Sequence, residues 1–250
     1  MKTDTPLRYK VLHHPSLAST NTHLINMLAS GEPAEEFTVV STEEQTCGRG
    51  QGTNVWCSQS GKNLTFSTLL LPDIPADKHF FLNMCISLGI RRTVEKYADH
   101  VRVKWPNDIY INDRKVCGIL IESSVKGGRI TRCVAGIGLN VNQETFDSWV
   151  PNPVSIRNVS GEENDLSRVL DETMHNIHHY YTLLQEGRLD EIKREYLAHM
   201  WRKDTPADFR DEQGRFTGTI RGCDDMGCLQ IERPDGTLSV YAFREVSFVL

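Results

Sequence analysis

The sequence predicts an α+β protein, with a mixed or antiparallel central sheet, helices packed on it, and a small separate β segment at the end. Three observations lead there. Between residues 101 and 141, alternating apolar runs are joined by the short turns Asn112-Asp113-Arg114 and Gly127-Gly128, so strands follow one another as hairpins. Apolar residues recur at helical spacing over 80–97 and 165–201. After Pro206 the chain changes to short alternating runs between Gly- and Asp-rich turns. The regular strand–helix alternation of a Rossmann fold is absent.

In chain order, Ser19-Thr20-Asn21 precedes Leu24, Met27 and Leu28, which share one helical face. Ser, Thr and Asn side chains accept hydrogen bonds from first-turn amides, so a short helix ending at Gly31 is expected. Residues 37–41 read as a buried strand, 43–62 as a glycine-rich polar loop, and 63–71 as a strand. In the helix over 80–97, Phe81, Met84, Cys85, Leu88 and Val94 form the inward set. Strands follow at 101–105, 109–111, 116–122 and 130–141. Asp165 caps a helix carrying Val169, Leu170, Met174 and Ile177, and 189–201 forms another. The closing strands are expected at 216–220, 228–232, 238–243 and 246–250. A domain boundary near Thr205 divides the chain into 1–204 and 205–250.

A net charge of -5 gives no sign of the basic patch that nucleic-acid binding uses. The seven cysteines are odd in number, form no C-x-x-C pair and lack zinc spacing, which fits free thiols in a reducing cytosol. His13-His14 and His178-His179 are poor metal sites, because adjacent side chains diverge. Residues 1–12 are polar, without an apolar signal core, and no stretch approaches membrane-spanning length. A cytoplasmic protein without membrane contact is expected.

Three segments carry candidate chemistry. In Gly48-Arg49-Gly50-Gln51-Gly52-Thr53-Asn54-Val55-Trp56, closely spaced glycines leave amides able to approach an anion, Arg49 adds a cationic fork, and Trp56 adds a stacking face. A flexible surface loop is the plain alternative. In Lys104-Trp105-Pro106-Asn107-Asp108 and Lys115-Val116-Cys117-Gly118-Ile119-Leu120, a return hairpin brings Asp108 and Lys115 to one end of the sheet. There Lys115 can neutralise a carboxylate or phosphate and Asp108 can accept from an amine; an ordinary surface ion pair is the alternative. In Gly136-Ile137-Gly138-Leu139-Asn140-Val141-Asn142, glycines within a strand point to close approach of a ligand or backbone, or to a simple bulge.

With Ser19-Thr20-Asn21 and Gln45, these segments resemble the biotin–protein ligase family. That family carries S-T-N, Q-x-x-G-R-G-x-x-G-x-x-W, K-W-P-N-D, K-x-x-G-I-L and G-x-G-x-N in this order. The resemblance covers about residues 12–142, and Gly218-Thr219 with Phe243-Arg244-Glu245-Val246-Ser247 resembles the family's SH3-like C-terminal domain. Two positions depart: Gln51 stands where many members have arginine, and Thr53 where many have glycine. The segment before Ser19 is too short for the winged helix some members carry, so no DNA binding is expected.

The resemblance implies a class II synthetase-like catalytic domain with a small SH3-like β-barrel, and a ligase that makes biotinyl-5'-AMP from biotin and ATP with Mg2+. Biotin then passes to a lysine of a biotin carboxyl carrier protein. It assigns catalysis to Arg49, Lys115 and Asp108. Biotin falls to Ser19, Thr20, Asn21, Gln45, Gly48, Arg49, Gly50, Gln51, Lys115, Gly118 and Leu120. ATP and the adenylate fall to Arg49, Gly50, Trp56, Lys104, Asn107, Lys115 and Asn140. Magnesium is expected on the phosphates, with no metal site from the protein alone. A homodimer through sheet edges occurs in the family, but no unusual apolar strip marks such an edge here. A lipoate or octanoate ligase is the alternative enzyme, disfavoured by the absence of an R-R-x-S-G-G-G segment. A non-catalytic biotin-binding regulator is the alternative outside catalysis.

Overall fold

The computed structural model describes residues 7–52 and 54–249. Thr53 of the glycine-rich loop, Leu250 of the last expected strand and the first six residues lie outside the described residues.

The chain runs β1 (Val11–Leu17), α1 (Thr20–Ala29), β2 (Val39–Gln45), β3 (Leu64–Leu70), β4 (Ile74–Pro75), α2 (His79–Val94), β5 (Val101–Lys104), β6 (Asp108–Ile111), β7 (Arg114–Lys126) and β8 (Arg129–Leu139). It continues through α3 (Ile156–Ser160), α4 (Leu166–Gln185), α5 (Leu189–Ala198), β9 (Pro206–Asp211), β10 (Gly214–Cys223), β11 (Leu229–Glu232), β12 (Leu238–Tyr241) and β13 (Ser247–Phe248).

The first sheet has the order β1-β2-β3-β8-β7-β6-β5, with β4 also paired to β8. β1 and β2 run parallel, and the other neighbours are antiparallel. The α+β class and the mixed sheet therefore match expectation. Every residue of β3 is buried, as befits a central strand. The β7–β8 hairpin turns at Gly127 (φ 59°) and Gly128 (φ 74°), the two positive φ values a tight hairpin loop needs. The α2 helix is apolar on nearly every side because α4 packs on it opposite the sheet: Cys85 Sγ lies 3.3 Å from the Tyr180 carbonyl and Asn176 Nδ2 donates to Thr93 Oγ1 at 3.0 Å.

Four local readings need correction. Residues 11–17, partly inside the stretch read as a polar N-terminus, form the edge strand β1; two histidines and Pro15 hid it, and an edge tolerates both. Glu43, Glu44 and Gln45 belong to β2 and not to the following loop. Residues 206–211 form β9, which the polar sequence did not announce. The helix expected to reach Trp201 stops at Ala198: Val103 donates to the His199 carbonyl and accepts from Trp201 N–H, so 199–201 leaves the helix to cover the β5 edge.

The C-terminal strands form a five-stranded antiparallel sheet in the order β12-β11-β10-β9-β13. Its β10–β11 turn locks into the first sheet's layer. Asp225 takes Lys78 Nζ at 2.8 Å and Lys193 Nζ at 2.7 Å, and Trp105 Nε1 donates to the Gly227 carbonyl at 2.8 Å. The two ammonium groups hold the Asp225 carboxyl down at about 2, Lys193 having the larger effect. A depressed carboxyl contributes stability that is present above its unfolded value near 4 and lost as pH falls through the folded value. Asp225→Asn should lower Tm at neutral pH by about 2–4 °C, since the pairs are half exposed. It should also flatten the acid loss of stability between about pH 4 and pH 2. Identical melting curves across that window for both proteins would show that the clamp contributes nothing.

Candidate active site

The start of α1, the loop after β2, the β6–β7 hairpin and the C-terminal turn before β13 enclose a cavity of about 510 Å³. That is room for a ligand of drug or cofactor size. Every wall but the C-terminal one follows from a local feature of the sequence.

Ser19 caps α1, its side chain accepting from Thr22 N–H at 3.4 Å. Gln45, at the end of β2, reaches the same helix start: its Oε1 accepts from Thr20 N–H at 2.9 Å. Asn21 Oδ1 accepts from Ser67 Oγ at 2.6 Å, while its Nδ2 donates to Glu122 at 2.7 Å. Ser19, Thr20 and Asn21 are all buried, and all three face the cavity with Gln45. Gly136 is open for the same reason, since a methyl group there would fall 2.3 Å from Asn21 Oδ1.

The glycine-rich segment is a tight hairpin. Arg49 bridges to Val55, Trp56 N–H donates to the Gly48 carbonyl at 3.0 Å, and Gly50 N–H donates to the Asn54 carbonyl at 2.7 Å. The expectation of free amides is thus corrected at Gly50, whose N–H is used within the hairpin. Gly48 is buried outside the cavity lining and lets the returning strand pass, for a methyl group there would meet the Trp56 carbonyl at 2.1 Å. Arg49, Gly50 and Gln51 do line the cavity.

Trp56 lies over the glycine strands. A methyl group on Gly138 would fall 2.2 Å from the indole, and one on Gly118 would fall 3.0 Å from it. Lys115 Nζ sits 5.7 Å from the ring centre, and Trp56 Nε1 is buried without a hydrogen-bond partner among the described residues. The glycines spaced along β7 and β8 are therefore a bed for an aromatic ring. Leu120 lines the cavity farther along β7.

Lys115 Nζ contacts Asp108 Oδ1 at 2.7 Å. The register between β6 and β7 shifts here, Ile109 facing Cys117 and Tyr110 facing Lys115, so Val116 is the extra residue that re-aims Lys115. Asn107 Nδ2 bonds the Ile119 carbonyl and ties the break before β6 to β7. Lys104 Nζ is set between the rings of Tyr110 (5.2 Å) and Phe248 (5.0 Å), and burial pushes its pKa down. Lys104, Asn107, Asp108 and Lys115 all reach the cavity.

Asn140 does not line it. Its Nδ2 donates to the Val154 carbonyl at 3.1 Å, its own carbonyl accepts from Ile156 N–H, and its Oδ1 is buried without a partner among the described residues. It pins the segment leading into α3.

Sequence reasoning missed Glu122 and the C-terminal wall. Glu122 holds Arg49 Nη2 at 2.9 and 3.1 Å. Strand alternation from Gly118 through Leu120 places it on the cavity face, and that was the available signal. Phe243, Arg244, Val246, Ser247 and Phe248 complete the cavity from the second sheet, for which no local pattern exists.

The Trp56 bed is open to test. In Gly138→Ala the β8 backbone cannot yield, so the indole must leave. Tryptophan emission should move to longer wavelength, and the difference should vanish in a Trp56→Phe background. An unchanged spectrum would contradict the packing described.

Comparison with known proteins agrees with this geometry. Residues 14–140 match the model of the Biotin/lipoate A/B protein ligase family. The bifunctional ligase/repressor BirA of Bacillus subtilis (strain 168) is 30% identical over 238 residues, covering 93% of this chain and 72% of that relative. The biotin–[acetyl-CoA-carboxylase] ligase of Paracoccus denitrificans is 28% identical over 204 residues, 79% of this chain and 85% of the relative. The biotin protein ligase from Aquifex aeolicus, solved in complex with biotin and ATP, superposes with a TM-score of 0.78 at 24% identity, over 96% of this chain and 98% of that one. With the family model spanning half its length and the Bacillus relative matched over most of its own, this chain belongs to the biotin/lipoate A/B protein ligase family.

Proposed function

We propose that the chain is a biotin–protein ligase, which forms biotinyl-5'-AMP from biotin and ATP and transfers the biotinyl group to a lysine of a biotin carboxyl carrier domain. The observation that carries this reading is convergence: Arg49, Lys115 and the capped start of α1 face one cavity. The names of the Bacillus, Paracoccus and Aquifex relatives support it.

In the first step a biotin carboxylate oxygen attacks the α-phosphorus of ATP, and the bond to pyrophosphate breaks. Two anions must meet, and the cations Arg49 and Lys115 lower that repulsion. Each has a carboxylate partner to exchange. The Arg49–Glu122 pair is 48% and 32% exposed at its two side chains, so it is worth about 1 kcal/mol or less, and an anionic ligand takes over the guanidinium at small cost. Ser19, Thr20, Asn21 and Gln45 offer hydrogen bonds to the ureido head, Leu120 offers apolar contact, and Trp56 offers a face to adenine. Magnesium would enter on the nucleotide phosphates, as it does where a hard cation is held mainly by substrate oxygens.

In the second step a carrier lysine amine attacks the acyl carbon and AMP leaves with the electron pair of the broken C–O bond. Asp108 is placed to orient the amine and accept its proton once Lys115 turns to the phosphate. The walls of the cavity limit water around the mixed anhydride.

The test is incubation with biotin, MgATP and a carrier domain, read by the mass of the acceptor, with lipoate as control. Modification by biotin alone is expected. Lys115→Ala should lose most activity while its Tm stays close to wild type; near-normal turnover would remove Lys115 from catalysis. Arg49→Ala should weaken biotin and adenylate binding together by about ten- to a hundredfold, as loss of a charge-assisted hydrogen bond predicts. Unchanged biotin affinity by calorimetry, with and without nucleotide, would refute the shared-cation role.

A further inference from the structure

The loop that covers the cavity has a glutamine at position 51, and Gln51 faces the cavity without a charge. A cation stands next to it from elsewhere. Arg244, in the turn between β12 and β13, also lines the cavity. Its guanidinium packs on the neighbouring loop residue: a methyl group on Gly52 would fall 1.9 Å from Arg244 Nη2. Gly52 itself has φ 71°, so its lack of a side chain serves both the bend of the loop and the seat of the guanidinium.

Two further observations mark Arg244 as a site residue. Its φ is 74°, a left-handed conformation that arginine adopts only when its surroundings impose it. The turn is held from outside: Glu245 N–H donates to the Ala242 carbonyl at 3.1 Å, the Glu245 carboxylate accepts from Ala242 N–H at 2.7 Å, and Phe243 packs its ring 6.2 Å from Trp105. The second observation concerns charge. Arg49 and Lys115 have carboxylate partners, and Lys104 is sunk between aromatic rings. Arg244 forms no ion pair among the described residues; its guanidinium lies against Gly52 and 5.5 Å from the ring of its neighbour Phe243. An unneutralised guanidinium at a cavity wall, held in a strained turn against an anion-facing loop, is a receptor for a phosphate.

We infer that Arg244 is a phosphate-binding residue, a further cation of the nucleotide site beside Arg49 and Lys115, supplied across the cavity by the C-terminal sheet in place of a charge at Gln51. The identity of its ligand as the phosphate chain of ATP, and then the adenylate phosphate, rests on the ligase reading. The contact also ties loop closure to the C-terminal sheet, because Gly52 and Arg244 can hold one phosphate only when they adjoin.

The experiment compares wild type with Arg244→Gln and Arg244→Gly, using α,β-methylene-ATP with magnesium in calorimetry, with and without saturating biotin. Both variants should bind the analogue at least tenfold more weakly. Arg244→Gly should keep or raise Tm, since glycine accepts the positive φ without strain. Adding Gln51→Arg to Arg244→Gln should recover most of the lost affinity and slow the release of preformed biotinyl-AMP. Equal affinities in wild type and variants overturn the assignment, as does a wild type that binds no nucleotide in either condition. Losses of affinity confined to variants with a lowered Tm overturn it too, by showing a structural role. The ligase reading fails separately, if biotin elicits no pyrophosphate release while nucleotide binding still depends on Arg244.

Discussion

Two cations beside one cavity repel one another, and a folded chain must hold them there. Here Arg49 and Lys115 each have a resident carboxylate, and much of the local architecture hangs on those two pairs. Arg49–Glu122 fastens the 48–56 hairpin to β7. Glu122 also accepts from Asn21, whose other amide atom takes Ser67, so one acid joins the loop, the start of α1, β3 and β7. Lys115–Asp108 closes the irregular β6–β7 register across its extra residue. The first pair is half exposed and exchangeable; the second is more buried.

How much of this the sequence showed depends on whether the signal was local. The helix cap at Ser19 and the β6–β7 and β7–β8 hairpins were legible, because caps, turns and strand periods are written in neighbouring residues. The glycines at 118 and 138 were legible as close approaches, although the ring that approaches them, Trp56, is known only from the fold. Glu122 was passed over because an acid in a strand reads as an outward side chain. β1 was passed over because Pro15 and two histidines are polar punctuation in a sequence but acceptable on a sheet edge. The Gly50 amide and the Asn140 side chain have partners the sequence did not show, for a shared reason: a residue type shows what a group can bind, whereas the fold decides which partner reaches it first. The Gly50 amide meets Asn54, and the Asn140 amide meets Val154.

The least legible wall is the one built by the second sheet, and its effect on the first is electrostatic. Phe248 lies on one side of Lys104 Nζ and Tyr110 on another, so an ammonium group at the cavity rim is drawn out of water and its pKa falls. Asp108 resists that fall, while Lys115 and Arg202 add to it. Lowering the local dielectric strengthens the interaction of every remaining charge with a bound phosphate. The same wall limits water in the cavity. Both effects require the second sheet to stay seated. The seating is polar and specific: Asp225 between Lys78 and Lys193, and Trp105 on the Gly227 carbonyl. Trp105 lies beside Lys104 and also packs against Phe243, so the residue that anchors the turn at 227 also supports the turn that carries Arg244. A displacement of the β10–β11 turn would therefore reach the cavity through one indole ring, loosening the wall over Lys104 and the seat of Arg244 together.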